Sequence, residues 1–216
     1  MRRLLIAMLA AIGAAAVLAQ PAAAQDGDDV EVAVARVDVL QVSGLFDEII
    51  VTEISAAIGR AEDEGSQALI FQVDTRGAVV SDETMAALMV EIDEAEVPIA
   101  VWVGPSGARL YGTPAQILAV ADVTGMAPGS RVGNVGAPVS AEYDLGPGLN
   151  ELRNRTVGLS EARSLAVFKQ RISDEGIATI LNMIDALDGY TEDGVELNTT
   201  TEVVTESGTV QRETIA

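Results

Sequence analysis

Short apolar runs that alternate with helix-like spacing are the feature that most constrains the fold of this chain. The runs ALIFQV and IAVWV are typical of strands buried on both faces of a parallel sheet, and each is followed by a turn and then a helical pattern. This repeat predicts an α/β fold with a mainly parallel sheet and right-handed crossovers. The predicted strands cover Glu31–Val42, Ala68–Val73 and Ile99–Val103, and the predicted helices cover Asp47–Glu64, Ser81 to about Ala95, and about Ala108 to about Ala121.

The stretch Val101–Asp122 is where we expect a reactive site. Ligand sites in such sheets lie at the carboxyl ends of the strands, so the turns 74–78 and 104–107 should lie beside each other. A strand that turns sharply into a helix directs backbone N–H groups at one point. The aromatic residues Trp102 and Tyr111 fit the core or the wall of a cleft.

The second half of the chain has weaker patterns. The segment 126–139 is rich in Gly and Pro, and its glycines lack the spacing of a nucleotide-binding loop. A loop is expected over 140–154, followed by short helices over Ser160–Phe168 and Ser173–Leu187, with Ser160 and Ser173 as caps. Residues 200–216 alternate weakly and predict a marginal hairpin or a tail.

Two absent residue types limit the chemistry. The chain has no His and no Cys, which excludes a Ser-His-Asp triad, a thiol nucleophile, a disulfide and a zinc finger. Ser and Thr remain as nucleophiles, and Lys169, the one lysine, remains as a nitrogen base. We predict no metal site and no cofactor.

Charge and the first residues suggest the compartment and exclude some partners. The formal net charge of −20 argues against nucleic acid and anionic membrane surfaces as partners. Residues 1–24 combine Arg2 and Arg3, an apolar run and a small-residue site near Ala24, which is typical of a cleaved secretory signal. We therefore expect export to the periplasm, the medium or the outer membrane face, with a flexible lead-in over residues 25–32.

Several segments together resemble the N-terminal domain of NfeD-type proteins, which are ClpP-class membrane-associated serine proteases with the ClpP/crotonase fold. The resemblance covers most of a predicted domain over 33–199, and it depends on the order and spacing of the segments. They are VDVLQVSGLFDE, ALIFQVDTRGAVV, VPIAVWVGPSGAR, ADVTGMAPGSRVGNVGAPV and LDGYTEDGVEL.

The resemblance implies a Ser–Lys dyad, with a nucleophilic Ser shortly after the Gly-Ala-Arg turn and a Lys on a later helix. That helix follows a Pro-Val element, matched here by Pro138 and Val139. An Asp-Thr-Pro-Gly-Gly turn supplies the amides of an oxyanion hole. A buried lysine can be neutral enough to act as the base for the serine.

This chain departs from the family pattern at each catalytic position. The nucleophile position matches Gly112, and the oxyanion turn carries Arg76, Gly77 and Ala78 in place of Pro-Gly-Gly. The segment after Val139 is too short for the lysine helix. Remaining candidates are the nucleophiles Ser106 and Thr113, the base Lys169, and Tyr111 as a cleft wall.

Each candidate has a structural alternative. Ser106 fits a turn serine that bonds backbone, Thr113 fits a helix N-cap before Pro114, and Lys169 fits a surface lysine. Arg76 either binds a carboxylate or pairs with Asp74 or a neighbouring acid.

We therefore expect an exported protease-like domain that has lost its dyad and acts as a peptide-binding or scaffolding pseudoenzyme. The alternative is an active serine-type peptidase that uses Ser106 or Thr113. Expected partners are an extended hydrophobic peptide or, from the resemblance, a stomatin-like membrane protein; a homo-oligomer stays open.

Overall fold

The computed structural model describes residues 36–169, 176–192, 194–204 and 210–214. The predicted signal segment, the lead-in and the proposed cap Ser173 lie outside these residues. Within them the strands are β1 Val37–Phe46, β2 Ala68–Ala78, β3 Ile99–Val103, β4 Arg109–Tyr111, β5 Val123–Met126, β6 Arg131–Gly133, β7 Thr156–Gly158, β8 Thr191–Glu192, β9 Val195–Glu196, β10 Thr200–Val204 and β11 Val210–Thr214. The helices are α1 Glu48–Asp63, α2 Asp82–Asp93, a 3-10 helix Thr113–Ala119, α3 Gly146–Glu151, α4 Leu159–Ser164 and α5 Ile180–Asp185.

Strand β2 is the common strand of a seven-stranded, mainly parallel sheet. β1 pairs with β2 along most of its length, from Val37 opposite Ala68 to Phe46 opposite Ala78. On its other side β2 pairs first with β3, over Leu69–Val73, and then with β4 at Thr75 and Leu110. The mainly parallel α/β fold predicted from the sequence is confirmed.

The sheet therefore has two halves, which share β2. The first half contains β5, β3 and the start of β2, and the second half contains the end of β2, β4, β6 and the antiparallel β7. The chain passes between the halves through two neighbouring loops, 104–108 and 127–130. Backbone hydrogen bonds tie these corner loops together, from the Ala127 N–H to the Val103 carbonyl and from the Arg131 N–H to the Ala108 carbonyl, both 2.9 Å.

Helices α1 and α2 begin where the sequence indicates. Asp47 caps α1 by accepting hydrogen bonds from the N–H groups of Ile49 and Ile50, and Ser81 caps α2 by accepting one from Thr84. Each helix buries one apolar stripe in the core. The buried residues of the stripes are Ile54, Ala57, Ile58, Ala61, Met85, Leu88, Met89 and Ile92.

Other predicted boundaries are wrong. β2 continues through the expected turn at 74–78, because β1 and β4 provide pairing partners there. No helix begins at Ala108, since residues 109–111 enter the sheet and bury Leu110 between Thr75 and Val132. The loop expected over 140–154 contains α3, and the cap of α4 is Gly158, not Ser160.

The end of the described chain forms two small antiparallel pairs. β8 pairs with β9, and β10 pairs with β11 between Thr200 and Thr214. No helix among the described residues is long and apolar enough to cross a bilayer.

Candidate functional site

Gly112 lies directly against the turn that the resemblance assigns to the oxyanion hole. A Cβ at Gly112 would lie 3.1 Å from the Gly77 Cα and 3.9 Å from the Ala78 nitrogen. β4 brings the two segments together by pairing with the end of β2 at Thr75. The structure thus places three predicted site residues, Gly112, Gly77 and Ala78, in one location.

The backbone at Gly112 suits glycine and not serine. Its φ of +77° lies in the region that L-residues rarely adopt, and its ψ is −162°. The 3.1 Å approach of a Cβ to Gly77 adds close contact to that strain. A serine at this position would therefore have to move one of the two backbones.

The turn at Gly77 is held by the buried hydroxyl of Thr75. The Thr75 Oγ1 donates to the Gly77 carbonyl at 3.0 Å, and the Gly77 N–H contacts the same oxygen at 3.4 Å. The Gly77 N–H, which an oxyanion hole would direct at the substrate, is turned toward its own strand.

Arg76 does not make the predicted ion pair with Asp74. The Asp74 Oδ1 instead accepts the Arg109 backbone N–H at 2.9 Å. The Arg76 side chain is exposed, and no acid in the described part of the chain lies within ion-pair distance of it. The carboxylate-binding alternative for Arg76 thus stays a prediction.

Tyr111 and Thr113 flank Gly112, and both are half-buried. Thr113 is not the helix cap: Gly112 occupies that position, and Thr113 is the first residue of the 3-10 helix. Among the described residues, the Thr113 hydroxyl has no hydrogen-bond partner. Of the two hydroxyl candidates, Thr113 is the one nearest in sequence to the nucleophile position.

Ser106 has a structural task at the corner of the sheet. Its Oγ donates to the Pro128 carbonyl at 2.5 Å, and the Ser130 Oγ donates back to the Pro105 carbonyl at 3.1 Å. The two serines thus link the corner loops reciprocally. Ser106 therefore bonds backbone, as expected of a turn serine, but the carbonyl belongs to the neighbouring loop and not to its own turn. In the chain, β4 lies between Ser106 and Gly112.

Lys169 lies at the opposite end of the sheet from Gly112. Its backbone N–H donates to the Thr124 Oγ1 at 2.9 Å, in β5. Its charge acts on Asp122, whose carboxylate accepts the Ile99 N–H at the start of β3. Burial nevertheless raises the pKa of Asp122, and the hydrogen bond and the lysine only partly oppose this.

The β-sheet spacing separates Lys169 from the Gly112 site. Thr124 is level with Val101 and Phe71, whereas Gly112 lies level with Gly77. The two levels are six residues apart along β2, which corresponds to roughly 20 Å of strand. The structure does not bring Lys169 and Thr113 together.

Gln116 is a buried polar residue that the sequence analysis missed. Its Nε2 donates to the carbonyls of Val135 and Ala137, both at 2.8 Å, and its Oε1 accepts the Val139 N–H at 3.0 Å. It thereby fixes the Pro-Val element beside the 3-10 helix. One signal in the sequence could have identified it, because Gln116 is the single amide in the apolar run AQILA. A polar side chain that is fully buried at such a position needs hydrogen-bond partners.

Within the described part of the chain, the surroundings of Gly112 offer backbone groups and the Arg76 cation but no base placed beside a hydroxyl. Among the described residues there is no cluster of three acidic, His or Cys side chains suited to a metal ion. Around Gly112 lie glycine backbone, the half-buried Tyr111 and Thr113, and the exposed Arg76.

Solved structures share this fold. A lysine-to-alanine mutant of the 1510-N membrane-bound stomatin-specific protease, in complex with a substrate peptide, superposes with a TM-score of 0.62 at 18% identity, over 76% of this chain and 88% of that chain. The 1510-N protease from Pyrococcus horikoshii, specific for a stomatin homolog, gives 0.60 at 19% identity over 77% and 88%. An enoyl-CoA hydratase from Shewanella pealeana gives 0.52 at 17% over 68% and 66%.

These likenesses confirm the fold. The chain has the ClpP/crotonase-like fold, and the resemblance to NfeD-type protease domains holds at that level. No family model matches the sequence, and no curated protein matches it.

Proposed function

We propose that this chain is a protease-like domain without a Ser–Lys dyad that binds an extended peptide as a pseudoenzyme. The backbone at Gly112 carries the proposal, since its φ of +77° and the 3.1 Å approach to Gly77 leave glycine as the fitting residue at the nucleophile position. Ser106 is committed to the corner loops and Lys169 lies beyond reach. The protease-like fold supports the peptide as ligand.

The outer edge of β1 is the strand edge that a peptide would extend. Among the described residues β1 pairs with β2 alone, so its other edge has free N–H and C=O groups. Three exposed apolar residues near the ends of β1 and β2 form what we call the apolar patch: Leu45 in β1, Ile49 at the start of α1 and Val79 directly after β2, which are 49%, 70% and 66% exposed. A strand added here gains backbone hydrogen bonds from the edge and apolar contacts from the patch.

The source of the peptide is proposed from the comparisons. One neighbour is named as specific for a stomatin homolog, and a stomatin-like membrane protein is therefore the candidate partner. We further propose that residues 1–24 direct export, on the basis of their Arg pair and apolar run. The mass of the mature protein recovered from its host would show whether the chain is cleaved near Ala24.

Reaction with a fluorophosphonate probe tests the loss of catalysis. The purified protein should stay unlabelled under conditions that label an active serine hydrolase. Labelling that disappears in Thr113→Val, or in Ser106→Ala, would overturn the pseudoenzyme proposal and establish the active peptidase.

Calorimetric titration with an uncharged hydrophobic peptide tests the binding role. Leu45→Glu should weaken binding by at least about tenfold, because a buried leucine contributes about 1.5–3 kcal/mol. Leu181→Glu is the matched control, since Leu181 is 46% exposed on α5. Equal affinity in Leu45→Glu and the wild type would exclude this edge as the binding site.

A further inference from the structure

Three arginines lie on the outer face of the second half of the sheet: Arg109 is beside Arg131, and Arg76 is on β2, diagonal to Arg109. Arg109 and Arg131 are direct partners in the pairing of β4 with β6, and neighbouring partners point to the same face. Because Thr75 is opposite Leu110, Arg76 falls opposite Tyr111 on that face. The intervening Leu110 and Val132 are fully buried, so the arginines point away from the core.

Among the described residues, none of the three guanidinium groups forms an ion pair with a carboxylate. Within the described ranges the ion pairs involve Arg36 and Arg155, not Arg76, Arg109 or Arg131. Arg131 is oriented by hydrogen bonds to the Thr156 hydroxyl and carbonyl at 2.8–3.3 Å, which leaves its charge uncompensated.

In so acidic a chain, three arginines on one face of the sheet are unexpected. Acidic residues outnumber Lys and Arg by 33 to 13. Yet among the described residues the acid opposite Arg109 on this face, Asp74, accepts the Arg109 backbone N–H and forms no ion pair with the three arginines. Like charges directly opposite each other across strands destabilise a sheet. An anionic ligand would remove that repulsion, and the exposed Arg76 and Arg131 are open to one.

The face adjoins Gly112, and its dimensions suit a peptide. Arg76 precedes Gly77, which contacts Gly112. Neighbouring strands are about 4.8 Å apart, so a segment that crosses from β2 to β6 spans roughly 10 Å, the length of about three extended residues.

We propose that Arg76, Arg109 and Arg131 dock an acidic stretch of the bound peptide. The inference depends on the proposed peptide-binding function and adds the charge of the ligand to it. The acidic stretch lies over the arginines, and an apolar stretch of the same peptide lies along Leu45 and Val79. Guanidinium groups provide paired donors for the carboxylates.

Calorimetric titration of the full chain with two matched peptides tests this docking face. Both peptides have the same apolar half, which is joined to glutamates in one peptide and to glutamines in the other. Each peptide is made in two versions, with the apolar half at the N-terminal or at the C-terminal end. The glutamate peptide should bind more tightly, and added salt should reduce its advantage. Each of Arg76→Gln, Arg109→Gln and Arg131→Gln should reduce that advantage about two- to fivefold, as expected for exposed ion pairs.

Arg60→Gln is the control for net charge, because Arg60 is exposed on α1, outside the strands that carry the three arginines. An equal loss in this control would overturn the specific face. Equal binding of the two peptides would overturn this inference alone and leave peptide binding intact, whereas no binding of either peptide would overturn both. If the protein bound vesicles of anionic lipid but did not prefer the glutamate peptide, that result would also contradict the inference.

Discussion

The two halves of the sheet are built by different means. In the first half, five consecutive residues of β2 pair with five of β3, and these strands are almost wholly apolar and buried. In the second half, β4, β6 and β7 have three residues each and bury one large side chain apiece. The first half therefore supplies most of the hydrophobic stability, and the second half exposes the site and its arginines.

The contrast also explains where a ligand can act. A strand buried on both faces has no side chain free for binding. The short strands bury their central residue and leave other positions at least partly exposed, so they can carry Arg109, Tyr111 and Arg131 near Gly112. The separation of stability from binding predicts different responses to matched substitutions.

Truncating one leucine in each half should give the largest difference. Leu69→Ala should reduce the free energy of unfolding by about 4–5 kcal/mol and Leu110→Ala by about 3 kcal/mol, because the cost depends on how far the surroundings collapse. Both leucines are at most 1% exposed, so side-chain burial is matched. Equal losses in urea denaturation would break the comparison between the halves.

Glycine substitutions should show that the second half depends on backbone geometry. A Cβ at Gly133 would lie 2.1 Å from the Arg155 carbonyl oxygen, whereas one at Gly136 meets nothing within 4 Å. Both have positive φ. Gly136→Ala should cost about 1 kcal/mol through the backbone alone, and Gly133→Ala should cost about 3 kcal/mol because β6 must also move away from β7. Similar melting temperatures for the two variants would contradict this account.

Removing the Gln116 amide should have a smaller effect on stability and a local effect on structure. Gln116→Met keeps the approximate shape but leaves the Val135 and Ala137 carbonyls without their donor, which should cost about 2–3 kcal/mol. Amide hydrogen exchange should rise in 135–139 and stay unchanged in β3. Gln41→Met, on the exposed face of β1, is the control. Unchanged exchange in 135–139 would show that Gln116 does not hold that element.

The first half could be predicted from the sequence because its patterns are local. Apolar runs and capping residues such as Ser81 specify β3, α1 and α2 without tertiary information, and Ile99–Val103 is confirmed residue for residue. The second half is specified by pairing between distant segments. The sequence pattern predicts a helix from about Ala108, yet residues 109–111 form a strand because Leu110 pairs with Thr75 and Val132.

The site could be predicted only in part for the same reason. The family resemblance placed Gly112 beside Gly77 and Ala78, which the geometry brings together. The arginine face was not predicted, because Arg76, Arg109 and Arg131 are far apart in sequence and meet only through the β2–β4–β6 pairing.

The smallest expected effect is a pH dependence that belongs to the first half. Burial raises the pKa of Asp122, with opposing contributions from the Ile99 N–H and Lys169. The folded state therefore binds the proton more tightly than the unfolded state, so the stability contributed by Asp122 declines as pH rises through its folded pKa. Asp122→Asn keeps an acceptor for Ile99 without the charge. The wild type should thus gain stability relative to this variant as pH falls from 7 toward about 4, and urea denaturation of both proteins over that range measures the difference. If the difference in stability between the two proteins did not change with pH, the buried start of β3 and β5 would tolerate the Asp122 charge as readily as the open face of the second half tolerates its charges.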